Sequence, residues 1–337
     1  MTDDLDPFQY HSLRTSMFFP QSRLMVAGNP KAAGTSLRWW LLPLHGVDVD
    51  GLTRRSLWSE SAPFQTVWDV RVDLRYAWND LDEGERRDAL ESPDVLTVQP
   101  VRHPVTRAFS AWSGKYLNAE PYYTERLPSS VPGVEGDVQS PEQVAELFET
   151  FIGAVAAHVE ENGWKGFDVH FWPQHLLLGR RPVGQVLTLR QESLAEGLAA
   201  VQEHLAAHGV TAGPAPRINE TIVAYHPALV TGTAMDVLNS LYSEDFPAWD
   251  YRPEAPAARP RPTDFAWLND VRGRNGRYQV LHEAAMRGET RERELLADVV
   301  RARTREQELL ASTSWRLTRP VRAVSEVVRR RRGPREH

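Results

Sequence analysis

Residues 24–42 constrain the fold of this chain more than any other stretch. A short apolar run, Leu24-Met25-Val26-Ala27, leads into Asn29-Pro30-Lys31-Ala32-Ala33-Gly34-Thr35-Ser36, and a second apolar run, Leu37-Arg38-Trp39-Trp40-Leu41-Leu42, follows. The pattern predicts strand, tight loop and helix in that order. A loop that opens a helix presents unpaired backbone N–H groups and the positive end of the helix dipole, which suits an anion. Gly34 lets a ligand approach the backbone. Lys31 adds a mobile point charge, and Thr35 and Ser36 add hydroxyl donors. The lysine stands out because the chain has three lysines, Lys31, Lys115 and Lys165, among 39 basic residues. A Walker A loop places its lysine after the last glycine. Here Lys31 precedes Gly34, so an ordinary nucleoside triphosphatase loop is a poor match.

The pattern P-K-x-x-G-T-S resembles the 5′-phosphosulfate loop of sulfotransferases that use 3′-phosphoadenosine 5′-phosphosulfate (PAPS). A second stretch, Val98-Gln99-Pro100-Val101-Arg102-His103-Pro104-Val105-Thr106-Arg107-Ala108-Phe109-Ser110-Ala111-Trp112, resembles that family's 3′-phosphate motif. Its residues make physical sense in that role. Arg102 follows a predicted strand, at the edge where open α/β sheets bind ligands. Its planar fork suits a phosphate. Pro104 is placed to open a helix, with Ser110 two turns along it. Arg107 caps or pairs locally, or is a solvated helix charge.

Further segments resemble the same family in the same order over residues 20–252. Phe167-Asp168-Val169-His170-Phe171-Trp172-Pro173-Gln174 resembles the D-x-H-x-x-P-Q segment of carbohydrate sulfotransferases. Val186-Leu187-Thr188-Leu189-Arg190-Gln191-Glu192, Arg217-Ile218-Asn219-Glu220-Thr221 and Leu241–Tyr251 resemble later family segments. The resemblance implies a P-loop-like three-layer α/β sandwich, a central parallel sheet flanked by helices. It also implies that Lys31, Ala33, Gly34, Thr35 and Ser36 hold the 5′-phosphosulfate, and that Arg102 and Ser110 hold the 3′-phosphate. Lys31 would stabilise the leaving group. A general base must deprotonate the acceptor hydroxyl. Some relatives carry a catalytic His between the two nucleotide motifs, but residues 46–102 contain none. His170, oriented by Asp168, is the candidate; Glu60, Asp69 and Asp73 are alternatives, and His170 also reads as a structural or substrate-contacting residue. His103 reads as positional.

Composition limits the other readings. There are no cysteines, so disulfides and cysteine metal sites are excluded. No metal-ligand spacing appears, and no metal is expected. The net charge of −6 argues against a general nucleic-acid binder. The first residues are acidic and lack the apolar core of a signal peptide. No run approaches the roughly 20 apolar residues needed to span a bilayer. A cytoplasmic bacterial enzyme is expected.

Residues 1–22 read as an N-terminal arm, 1–252 as the sulfotransferase domain, 253–277 as a Pro/Ala-rich linker and 278–337 as a helical extension. Residues 118–140 are rich in Pro, Gly, Ser and aromatics and read as a lid, a binding loop or a plain insertion. Ser140 and Pro141 open a helix whose apolar face, Val144, Leu147, Phe148, Phe151 and Ile152, is core. The extension docks on the core or dimerises weakly. The tail, Ser312-Thr313-Ser314-Trp315-Arg316-Leu317-Thr318-Arg319-Pro320-Val321-Arg322, resembles a segment near the ends of bacterial glycan-modifying enzymes, and Arg329–Arg332 follow it. Interleaved arginines and apolar residues suit an anionic membrane surface, and a disordered basic tail is the plainer alternative. The expected function is sulfuryl transfer from PAPS to a carbohydrate or glycolipid hydroxyl. Two other readings stand beside it: a nucleotide kinase or triphosphatase with an atypical loop, and a non-catalytic nucleotide-binding partner in glycan assembly.

Overall fold

Four short strands build one sheet, three of them buried along their whole length. The structure, a computed structural model, describes residues 6–55, 75–119, 128–179, 183–218, 223–254, 265–276 and Arg301. Strands β1 (Met17–Phe19), β2 (Leu24–Val26), β3 (Leu96–Val101) and β4 (Gln185–Arg190) lie side by side in that order. β2, β3 and β4 are parallel, with Val26 opposite Val98 and Val98 opposite Leu187. β2, β3 and β4 match the expected central parallel sheet, and β1 adds an antiparallel edge strand beside β2. Only residues 20–23 separate the two strands, and a parallel crossover needs a dozen or more. Arg23, at φ 51, completes the turn in the left-handed region.

Period-two alternation sends successive side chains to opposite faces. Met17, Phe19, Leu24, Val26, Leu96 and Val98 enter one core, where they meet Leu37, Trp40 and Leu41 of helix α2 (Gly34–Leu44), Leu52 of α3 (Val49–Arg55) and Val201 and Leu205 of α8 (Leu194–Ala207). Phe18 and Met25 face the other side, with Leu13 of α1 (Pro7–Arg14) and Leu90 of α4 (Glu83–Glu91). Ala27 and Val101 continue that side against Leu177 and Leu178 of α7 (Gln174–Leu178). Helices therefore cover both faces. Residues 7–19 form α1 and β1 and contribute Phe8, Leu13, Met17, Phe18 and Phe19 to the core, where an N-terminal arm was expected over 1–22.

A larger apolar cluster packs helices on one another. It joins α5 (Pro104–Trp112), α6 (Pro141–Asn162), α9 (Gly232–Leu241) and α10 (Asp245–Ala248) through Phe109, Trp112, Phe148, Phe151, Leu238 and Phe246. Each such side chain contributes about 1.5–3 kcal/mol of burial before entropy is charged against it. The α6 start matches the sequence reading, since the Ser140 hydroxyl accepts from Gln143 N at 3.2 Å and Pro141 takes the first position.

The expected linker at 253–277 also needs correction. Residues 266–276 are helical, and Phe265 and Leu268 are buried in the helical cluster. Arg272 donates to the carbonyls of Leu117, Val134 (3.0 Å) and Gly136 (2.9 Å), and Asn269 exchanges two hydrogen bonds with Val138. The chain divides into two compact units, Met1–Gly276 and Arg277–His337. The expected helical extension and basic tail fall outside the described residues, apart from Arg301. So do residues 120–127 of the aromatic loop and the alternatives Glu60, Asp69 and Asp73.

Candidate functional site

The loop after β2 is held from below and open above. Ala27 N donates to Val98 O at 2.9 Å, which extends the sheet by one residue. Gly28 N donates to Ser16 Oγ at 2.9 Å, and Gly28 O accepts from Ser12 Oγ at 2.7 Å. A Cβ at Gly28 would sit 2.0 Å from Thr15 Oγ1 and 2.5 Å from the Ser12 carbonyl, so only glycine lets α1 press this close. Lys31 and Ala33 both take left-handed conformations, at φ 65 and 61. Such non-glycine residues each store roughly 1–2 kcal/mol, and alternation of hand turns successive N–H groups toward one point. Ala33 is the N-cap of α2 and offers no side-chain cap, which leaves the first-turn amides without intrahelical acceptors. Lys31, Ala33, Gly34, Thr35 and Ser36 are partly exposed, and Ala32 is buried beneath them. The Ser36 hydroxyl is engaged with the backbone of Ile218, donating to O at 3.2 Å and accepting from N at 3.4 Å.

Because β3 lies beside β2, its end brings Arg102 to the same loop. Arg102 Nε donates to Thr106 Oγ1 at 3.1 Å and Nη1 to the Lys31 carbonyl at 3.4 Å. Burial lowers its pKa to about 10, so it stays cationic at neutral pH. The nearby Glu192 carboxylate instead receives His103 N and Tyr251 Oη, both at 2.8 Å. A half-buried guanidinium bonded to neutral oxygens keeps its charge for an anion. His103 is positional: its ring bonds the Arg252 carbonyl at 2.7 Å and packs on Tyr251. Ser110 is 3 % exposed on α5.

Two residues tie these parts together. Arg107, for which local pairing or a solvated charge was expected, is fully buried. It donates Nε to Pro30 O at 2.9 Å and Nη1 to Trp172 O at 2.8 Å, and so joins the loop to the His170 segment. Gln174, buried at 0 % exposure, accepts with Oε1 from Asn29 Nδ2 (2.9 Å) and Arg102 N (3.0 Å), and donates Nε2 to Arg102 O (2.8 Å). Asn29 Nδ2 also reaches Pro100 O at 2.8 Å. The Asn29 and Arg102 segments are therefore bonded to one amide.

The third part is a short turn, residues 169–171, capped by Asp168. Asp168 Oδ1 accepts from His170 N at 3.0 Å and lies 2.7 Å from His170 Nδ1, while Oδ2 accepts from Tyr116 Oη at 2.6 Å. Burial alone would raise the Asp168 pKa. The His170 charge, its two hydrogen bonds and the Tyr116 hydroxyl outweigh burial and hold the carboxyl well below its usual range. His170 is lowered chiefly by burial; Asp168 opposes, and the Lys115 and Lys31 charges lower it further. Lys31 and His170, assigned separately from the sequence, therefore act on each other. Lys115 and Tyr116 come from a π-helical turn that continues α5, Ser113–Leu117. In the same turn, a Cβ on Gly114 would lie 2.7 Å from Lys31 Nζ. The His11 ring of α1 packs edge-on to Trp172 at 5.6 Å. Its pKa is lowered to about 4 by burial, then by Arg14 and His170.

Sequence reading missed Tyr116, Gly114, Gln174 and His11 as parts of this site. Gln174 carried a signal as the last residue of the D-x-H-x-x-P-Q segment, and Lys115 as one of three lysines. Among the described residues no group of three or more His, Asp or Glu side chains is arranged to hold a metal, and no helix is long and apolar enough to cross a membrane.

No curated protein and no solved structure shows a significant match to the chain. A family model described as "Sulfotransferase family" matches residues 15–252, the span that holds the anion-facing loop, Arg102, Asp168 and His170. The chain belongs to the sulfotransferase family.

Proposed function

We propose that the protein transfers a sulfuryl group from PAPS to a hydroxyl of a carbohydrate or glycolipid, on a P-loop-like fold, releasing adenosine 3′,5′-bisphosphate. The observation that carries this reading is the convergence of the Lys31–Ser36 loop, Arg102 and the Asp168–His170 pair around one end of the parallel strands. The residues fit PAPS: two left-handed residues, a helix N-terminus, a lysine and a half-buried arginine bonded to neutral oxygens are donors for a dianionic group. PAPS supplies a sulfuryl group whose bond to the 5′-phosphate oxygen breaks as the acceptor oxygen bonds to sulfur. The amides of Ala33, Gly34 and Thr35 bind the 5′ end, and the Lys31 ammonium takes up charge developing on the leaving oxygen. Arg102 holds the 3′-phosphate, with Ser110 assigned beside it. Nε2 of His170 accepts the acceptor proton. The carbohydrate assignment rests on the resemblance of residues 167–174 to carbohydrate sulfotransferases and on the tail, which would bring the enzyme to the inner face of a membrane.

Calorimetric titration with adenosine 3′,5′-bisphosphate, beside ATP with Mg²⁺, tests this. The bisphosphate should bind without metal. Arg102→Ala should weaken it about 10- to 100-fold, the loss of charge-assisted hydrogen bonds worth roughly 1.5–3 kcal/mol. No bisphosphate binding, or a preference for ATP with Mg²⁺, overturns the reading.

A further inference from the structure

Asp168 is the centre of a three-residue chain that the base role of His170 does not by itself explain. Its ionised carboxylate only accepts hydrogen bonds. The 2.7 Å contact with His170 Nδ1 therefore carries its proton on the imidazole, which makes Nε2 the unprotonated nitrogen of the neutral ring. Oδ1 is used twice, by His170 N and Nδ1, and Oδ2 receives the Tyr116 hydroxyl at 2.6 Å. Tyr116 is 2 % exposed, and its ring lies against Phe151 at 5.1 Å and Phe171 at 5.9 Å. The ring that carries the hydroxyl is thus held between Phe151 of α6 and Phe171 of the Asp168-capped turn. The same π turn carries Gly114, against which the Lys31 ammonium lies, and Lys115, which is 4 % exposed. π turns interrupt α-helices often at functional sites. This one fixes donor-side lysine and acceptor-side base from a single element.

We infer that Tyr116 is a positioning residue for the base: its hydroxyl takes one oxygen of Asp168, leaves the other to Nδ1 of His170, and so limits how strongly the carboxylate holds the imidazolium. The inference rests on His170 being the base. The charged and titratable groups facing His170 are Asp168 from its own turn, Lys115 and Tyr116 from the π turn, Lys31 from the anion-facing loop and His11 from α1, with Arg14 behind it. The lysines oppose protonation and Asp168 favours it. A hydrogen bond from Tyr116 spreads the Asp168 charge and weakens its pull, so its removal should make His170 easier to protonate.

The test is NMR titration of the His170 imidazole in the full-length protein, assigned by the signal lost in His170→Gln. Tyr116→Phe should raise the His170 pKa by about half a unit to one unit, a shift set by one hydrogen bond to a charged group. 3-Fluorotyrosine at position 116, a stronger donor of nearly the same shape, should lower it. Asp168→Asn should lower it further. The acid limb of the pH profile of PAPS turnover, read as bisphosphate release, should move with the imidazole. An unchanged or opposite shift in Tyr116→Phe, or no response to fluorination while Asp168→Asn moves the signal, overturns the inference. Bisphosphate titration of the same samples separates the two ideas. Its failure in the wild type removes the sulfotransferase reading, whereas intact binding with an unresponsive His170 removes only the role of Tyr116.

Discussion

Gln174→Met removes the polar end of a buried side chain while nearly keeping its volume, so the effect isolates hydrogen bonding from packing. The substitution leaves the backbone bond from Gln174 N to Asp245 Oδ2 in place. It strips acceptors from Arg102 N and from one hydrogen of Asn29 Nδ2, and a donor from Arg102 O. Asn29 keeps its bond to Pro100 O. Each buried group left unpaired costs about 1–3 kcal/mol, and the two Arg102 backbone groups make the total roughly 2–6 kcal/mol. For a domain of this size, 1 kcal/mol moves the thermal midpoint by about 2–4 °C, so a loss near 3 kcal/mol lowers it by roughly 10 °C. The loop and Arg102 would also lose their common anchor. Adenosine 3′,5′-bisphosphate should therefore bind at least about 10-fold more weakly, beyond what partial unfolding accounts for. Differential scanning calorimetry and isothermal titration below the transition measure the two effects. A midpoint within 2–3 °C of wild type, or full stability loss with unchanged affinity, would refute the argument that Gln174 couples the two segments.

The remaining expectations concern Lys31 and pH. Gly114→Ala places a methyl 2.7 Å from the Lys31 ammonium, the mobile end of its side chain, which should swing away without unfolding the protein. Circular dichroism and bisphosphate affinity should stay near wild type while PAPS turnover falls about 10-fold or more, and unchanged turnover would show that Lys31 acts from elsewhere. Stability should fall on acidification. The His11 pKa is lowered from 6.5 to about 4, so the unfolded chain binds the extra proton first, and stability present above 6.5 is lost as pH drops toward 4. That step is worth roughly 3 kcal/mol at most, and His11→Gln should flatten it in urea melts between those limits. His175 works in the other sense. Its hydrogen bond to the buried Asp245 raises its pKa, so its contribution is complete below the ordinary value of 6.5 and lost as pH rises through the raised one. Urea midpoints of His175→Gln should approach wild type at alkaline pH, and a constant gap from pH 6 to 9 would contradict the assignment.

Local signals in the chain were read well where one segment decides its own conformation. The end of β2, Pro104 at the head of α5 and Ser140-Pro141 at the head of α6 all follow from neighbours a few residues apart, whereas α2 starts at Gly34, three residues before the apolar run that marks it. Errors fell where a distant partner decides. Arg107 reads as a local cap or pair, or as a solvated charge, because its environment comes from Pro30 and Trp172, 77 and 65 residues away. Residues 265–276 follow a Pro- and Ala-rich stretch that sounds like a linker, yet Phe265 and Leu268 find a core built by α5, α6 and α9. Tyr116 has no motif at all; its meaning is the position of Asp168.

The sequence by itself determined the loop between β2 and α2, its lysine, the arginine after β3 and the order of the segments that carry them, because those depend on backbone conformation and residue chemistry over short spans. Tertiary structure alone decided that Lys31, Lys115 and His170 share one electrostatic environment, that Gln174 and Arg107 bond the segments together, and that Tyr116 bonds the carboxylate behind His170. Side-chain hydrogen bonds form over about 3 Å and depend on direction, and nothing in a linear order reports that distance between residues far apart in the chain.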